Sequence, residues 1–165
     1  MLNEAQGITQ TLQALAPLRT RGVQVIVVDG GSADDTVERA RQALQAPVAN
    51  GAAPWQVLRS PPGRAVQMNA GAQQARAPVL LFLHADTALP PAADTLVVQT
   101  LGSGTHHWGR FDVHITGQHG LLRVVAALMN RRSRWSGMPR PSSRPTISST
   151  FARWGFAARR CRRLG

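Results

Sequence analysis

Lysine does not occur in this chain, cysteine occurs once, and no apolar run is long. The single Cys161 sits in the last five residues, which excludes a disulfide framework and a cysteine zinc site. Nothing approaches the roughly 20 apolar residues of a membrane-crossing helix, and no charged-then-apolar leader opens the sequence, so the expected location is cytoplasmic. Two nucleotide signatures are also missing. There is no G-x-x-x-x-G-K-[ST], which excludes a P-loop nucleotidase, and no G-x-G-x-x-G of the dinucleotide type. Acids are unevenly spread: residues 131–165 contain ten arginines and no acid, whereas residues 1–130 hold nine arginines and eight acids. The net charge of +11 is therefore a property of the C-terminal segment. Nucleic-acid binding, the simplest reading of a basic chain, applies to that segment alone.

What remains is a chain of 165 residues, 43% apolar, long enough for one domain with a buried core. Its most informative stretch is VQVIVVDGGSADDTVERA, residues 23–40. A short β-branched run between glycines reads as a buried strand ending on Asp29. Val37, Ala40 and Leu44 then recur at helical spacing, with Ser32 and Asp35 placed as N-cap and N3. WQVL at 55–58 reads as a second strand, and a turn at 61–63 leads into a helix carrying Ala65, Met68, Ala72 and Ala75 on one face. VLLFLHAD, residues 79–86, is a third strand. Pro90-Pro91 opens a helix to about residue 101, WGRFDVHI at 108–115 alternates like a half-exposed strand, and GLLRVVAALMN at 120–130 is helical. Alternation of strands and helices predicts an α/β fold with a mostly parallel sheet.

Parallel strands bring their C-terminal ends to one edge, where open α/β sheets bind ligands. Asp29, Asp86 and the turn at 61–64 are expected to converge there. Carboxylates beside glycines suit a nucleotide whose phosphates are held through a divalent cation. Asp86 is the candidate metal ligand, Asp29 the acceptor for a base or ribose, and Arg64 the phosphate partner. LFLHADT also resembles phosphatases with an aspartate nucleophile, but His84 occupies the nucleophile's place. Asp34 and Asp35 need no further role than lying in a helix's first turn. His106, His107, His114 and His119 read as solvated, and Asp112 as an exposed strand position.

Taken together, LNEA (2–5), VIVVDGGSADDT (25–36), GRAVQMNAGA (63–72) and LFLHADTALP (81–90) resemble a family 2 glycosyltransferase. The closest likeness is to the small bacterial subgroup associated with arsenosugar biosynthesis. The resemblance spans about residues 2–134. It implies a GT-A fold, a nucleotide-diphosphate sugar donor, a Mn²⁺ or Mg²⁺ ion and inversion at the anomeric carbon. By position, Asn3 and Glu4 would lie near the base, and Asp29 at the base or ribose. Gly63, Arg64 and Asn69 would flank the nucleotide. Asp86 would be the last residue of the Asp-x-Asp metal motif, with His84 in its first position as a second ligand.

The chain departs from that pattern at both ends. The strand expected before Asn3-Glu4 is not matched, nor are the Gly-Asp-Gln, Gly-Gly-Phe and Glu-Asp segments that follow in the family. The expected organisation is thus a nucleotide-sugar-binding domain over 1–134 and a poorly ordered Arg-, Pro- and Ser-rich tail over 135–165. No catalytic base is identified, so weak turnover is expected. The acid-free tail reads as an out-of-frame translation, which the other two frames past codon 138 would test. An exposed strand edge makes dimerisation an expectation as well. Residues 120–134 could pack on the sheet or lie on an anionic membrane as a peripheral contact. The alternative functions are a non-catalytic nucleotide-sugar binder and an arginine-rich nucleic-acid binder. Binding of the latter kind weakens steeply with salt and is lost on deleting 139–165.

Overall fold

The computed structural model describes residues 1–45, 55–102, 108–112, 115, 121–135 and 155–158. His106, His107, His114, His119 and most of the tail lie outside them. The chain runs α1 (Ile8–Thr20), β1 (Val25–Asp29), α2 (Thr36–Leu44), β2 (Trp55–Arg59), α3 (Arg64–Gln74) and β3 (Val79–Phe82). It continues through α4 (Ala93–Gly102), β4 (Trp108–Gly109), α5 (Leu121–Trp135) and β5 (Gly155–Ala158). This is a mixed α/β architecture of partial GT-A type, with a parallel pair and flanking helices.

β1 and β2 pair in parallel, from Val25 opposite Trp55 to Asp29 opposite Arg59. Parallel pairing requires a crossover, and α2 supplies it. The second sheet has the order β3-β5-β4 and is antiparallel throughout. Its central strand comes from GFAA at 155–158, within the stretch the sequence reading assigned to the tail.

α1 was not anticipated, although Ile8, Leu12 and Leu15 lie on one helical face and are buried. Ile8 and Leu12 join Val27 of β1 and Ala40 of α2 in the main core, with Met1, Val57 and Ala85 packed around them. A smaller cluster sets Val97 and Leu101 of α4 against Val79, Leu81 and Phe111. α3 lies close on β1: a Cβ added at Gly71 would stand 3.2 Å from Val28 Cγ2. At the base of the parallel pair, the Arg19 guanidinium lies over the Trp55 ring at 5.2 Å, and the Trp55 indole donates to Val23 O.

One ion pair joins helices distant in sequence. Arg21, just past α1, makes a two-pronged contact with Asp94 in the first turn of α4, at 2.7 and 3.0 Å. That hydrogen bond holds the Asp94 carboxyl below its usual range. A depressed carboxylate pKa contributes stability above its unfolded value, about 3.9, which is lost as pH falls through the folded pKa. Asp94→Asn should therefore lower Tm by only ~2 °C at pH 7, the contact being solvent-screened, and the deficit should shrink as pH falls below about 3.9. Melting curves across pH 2–7 check this; a deficit as large at pH 2 as at pH 7 counts against the pair as its cause.

Candidate functional site

β1 delivers Asp29 to its C-terminal end fully buried. The carboxylate turns back on its own loop. Oδ2 accepts from Gly31 N at 3.1 Å and Ser32 N at 3.1 Å, while Oδ1 accepts from the Ser32 hydroxyl at 2.5 Å. The Asp29 carbonyl accepts from Ser60 N at 2.8 Å, fixing the start of the turn after β2. Ser32 is thus committed to Asp29 and does not cap α2, which begins one turn later at Thr36. Asp34 takes over locally: its Oδ1 accepts from the Thr36 amide at 3.1 Å and from the Thr36 hydroxyl. These bonds lower the Asp34 pKa, the hydroxyl contributing most.

The first five residues fasten onto this loop. The Met1 amine donates to Val28 O at 2.8 Å and Gly30 N donates to Met1 O at 3.0 Å, a strand-like pairing on the side of β1 away from β2. Asn3, at φ 53°, accepts through Oδ1 from Ala33 N at 3.0 Å and donates its amide to Ser32 Oγ at 2.9 Å. The Glu4 amide donates to the buried Thr36 hydroxyl at 2.8 Å, and Ala5 N to Asp34 Oδ2. Gln67 of α3 reaches the same place, donating to Met1 O at 3.2 Å. Gly30 leaves room for that side chain: a Cβ there would fall 1.8 Å from Gln67 Nε2.

α3 starts at Arg64 behind Gly63, whose φ of 128° belongs to glycine and whose N-cap position offers no side-chain cap. Arg64 is exposed and its Nη2 lies 2.9 Å from His84 Nδ1. A guanidinium only donates, so Nδ1 is the acceptor and the imidazole proton sits on Nε2. Burial, followed by the Arg64 charge, lowers the His84 pKa and keeps the ring neutral at pH 7. Asp86 is exposed and lies in a turn beyond β3, which ends at Phe82 and not at Asp86. The turn is closed by Thr87 N to His84 O at 3.2 Å, and Asp86 Oδ1 accepts from the Thr87 hydroxyl at 3.2 Å. Thr11 of α1 anchors the preceding residue, donating to Ala85 O at 2.5 Å.

Arg64, His84 and Asp86 are therefore one group, and Asn3, Glu4 and Asp29 a second, centred on the loop after β1. Met1 is electrostatically coupled to both: its amine feels the charges of Asp29 and Glu4, and His84 in turn feels the amine. Asn69 is half-buried about 140° around α3 from Arg64 and hydrogen-bonds to neither group among the described residues. Asp112 pairs with Arg110 at 3.4 Å. A groove of about 670 Å³ runs between α1 and residues 85–93, lined among others by Glu4, Thr11 and Asp86, with Arg21 near its far end.

Sequence reading missed Ser32, Asp34, Thr36 and Gln67 as the residues that hold the loop. A signal was present for three of them, since Ser, Asp and Thr after a Gly-Gly are the residues that bond their own backbone in turns. Gln67 carries no local signal.

As to a metal, no group of three His, Cys, Asp or Glu side chains gathers among the described residues. Asp86 alone fits a Mg²⁺- or Mn²⁺-type site, in which one carboxylate shares the ion with substrate phosphates. His84 fits less well. The lone pair on Nδ1 faces Arg64 and Nε2 carries the proton, so the Arg64 contact and metal ligation exclude one another in a neutral ring.

A search of curated proteins finds no match to the chain. The sequence profile of glycosyl transferase family 2 matches residues 1–160, beyond the span of about 2–134 over which the resemblance was read. With that match over nearly its whole length, and a loop–helix–loop rim at the ends of its strands, the chain belongs to glycosyl transferase family 2.

Proposed function

We propose that the chain binds a nucleoside diphosphate sugar across the two groups and transfers the sugar, with inversion, to an acceptor. The observation that carries this reading is the Arg64–His84 contact at 2.9 Å, which fixes a guanidinium at the open N-terminus of α3. Uncapped amides and a guanidinium suit a diphosphate, by helix dipole and by paired donors. Gly63, with no side chain of its own, lets the phosphates approach the backbone there. Base and ribose then fall toward Asn3, Glu4 and the loop after β1. Asp29 contributes by shaping that loop, its carboxylate being engaged inside it. Asn69 supports α3 from its half-buried side.

Asp86 is the residue we assign to a divalent cation, whose chemistry when bound is to neutralise the departing diphosphate. His84 is assigned to holding Arg64, and to metal only where that contact opens. Calorimetry with a panel of nucleoside diphosphates, with and without Mn²⁺, tests the assignment. Asp86→Ala should abolish the Mn²⁺-dependent part of the affinity, about tenfold or more, and His84→Ala should leave it largely in place. Equal loss of metal dependence in both variants would return His84 to the metal site. No binding of any nucleoside diphosphate by the unaltered chain would refute the function.

A further inference from the structure

We propose that α5 lies in the plane of an anionic lipid surface. Its residues Leu121, Val124, Val125, Leu128 and Met129 recur at intervals of three and four, the spacing of a single helical stripe. That spacing normally marks a face packed on a sheet. Here the stripe is in solvent: Leu121 is 75%, Leu128 54% and Val124 53% exposed, while among the described side chains of this helix Ala126, on another side, is the buried one. α5 also carries four arginines and no acid, with exposed Arg131 following the stripe.

An aliphatic stripe with arginine as its only charge is what a lipid headgroup region accepts, apolar side inward and cations toward phosphate. Fifteen residues make a helix of about 22 Å, and no helix among the described residues is long and apolar enough to cross a membrane, so it lies along the surface. A second copy is a poor occupant, because pairing two such helices brings arginines and no acid into one interface. A protein groove is also disfavoured, since none of the five stripe residues is aromatic, the class that anchors such interfaces. Beyond the helix, residues 136–165 add seven arginines and no acid. The proposal is independent of the nucleotide site.

Sedimentation of the full chain with vesicles tests it. Binding to phosphatidylcholine vesicles containing a quarter phosphatidylglycerol should exceed binding to phosphatidylcholine alone by about tenfold, and should weaken from 0.1 to 0.5 M salt. Leu121→Asp with Leu128→Asp should reduce it by about tenfold or more, with helical circular dichroism and nucleotide affinity unchanged. Arg131→Glu should weaken it too. Undiminished binding by the double aspartate variant would overturn the proposal, because arginines outside the stripe would then suffice. So would equal binding to both vesicle types. Concentration-dependent dimerisation abolished by the same variant would overturn it in favour of a second copy.

Discussion

Asp29→Ala should lower the unfolding free energy by about 3 kcal/mol, a large share of the ~5–15 kcal/mol of an ordinary domain. The side chain is fully buried, and its removal strands the Gly31 amide, the Ser32 amide and the Ser32 hydroxyl at once. Hydrogen bonds to a charged group are worth about 1.5–3 kcal/mol each when removed singly, and entering water would recover part of the sum. The damage would spread, because Ser32 also receives the Asn3 amide and the Asp29 carbonyl anchors Ser60. Asp29→Asn should cost less: with its oxygen toward the Gly31 and Ser32 amides, its amide nitrogen can donate to the Ser32 hydroxyl oxygen, which accepts as well as donates. Urea unfolding with an unchanged slope is the measurement. A midpoint equal to that of the unaltered chain would mean that Asp29 does not hold the loop.

Arg64→Ala should do the opposite, sparing stability and removing ligand affinity. Arg64 is exposed at the first residue of α3, so nothing in the core depends on it. The proposed diphosphate would lose a charge-assisted, two-donor contact, and affinity should fall by about 30- to 100-fold. Arg64→Lys should recover only part of this, since an ammonium keeps the charge but not the fork. The two variants together separate the roles of the rim. Asp29 should register in unfolding and Arg64 in calorimetry, and an Arg64→Ala variant that binds nucleoside diphosphates normally would move the phosphate site elsewhere.

The elements most legible in the sequence were those in which a local pattern and its packing agree. VIVVD is β-branched and bounded by glycine, and it is β1; Val37 and Ala40 at helical spacing are buried in α2. β3 was read too long, because LFLHAD stays apolar past the point where Thr87 bonds back to His84 and turns the chain. An apolar run records burial, and burial does not say where pairing stops. β5 was invisible for a related reason: GFAA is four residues without alternation, made a strand by neighbours on both sides. Within the site, the motif positions of Asp29, Arg64 and Asp86 were readable, but not what their side chains hold. That Arg64 faces His84, twenty residues away, depends on how far β3 runs before its turn.

The Met1 amine has a practical use. With lysine absent from these 165 residues, it is their lone primary amine, and partial burial lowers its pKa, against the pull of Asp29 and Glu4, so more of it is free base near neutrality. An acylating fluorophore would therefore mark a single atom, beside Val28, Gly30 and Gln67 and within electrostatic range of His84. Acylation leaves one N–H to meet the Val28 carbonyl, so the label can sit there without breaking the pairing. Its emission would report changes around the loop after β1 directly, with no engineered cysteine and no substitution anywhere in the polypeptide.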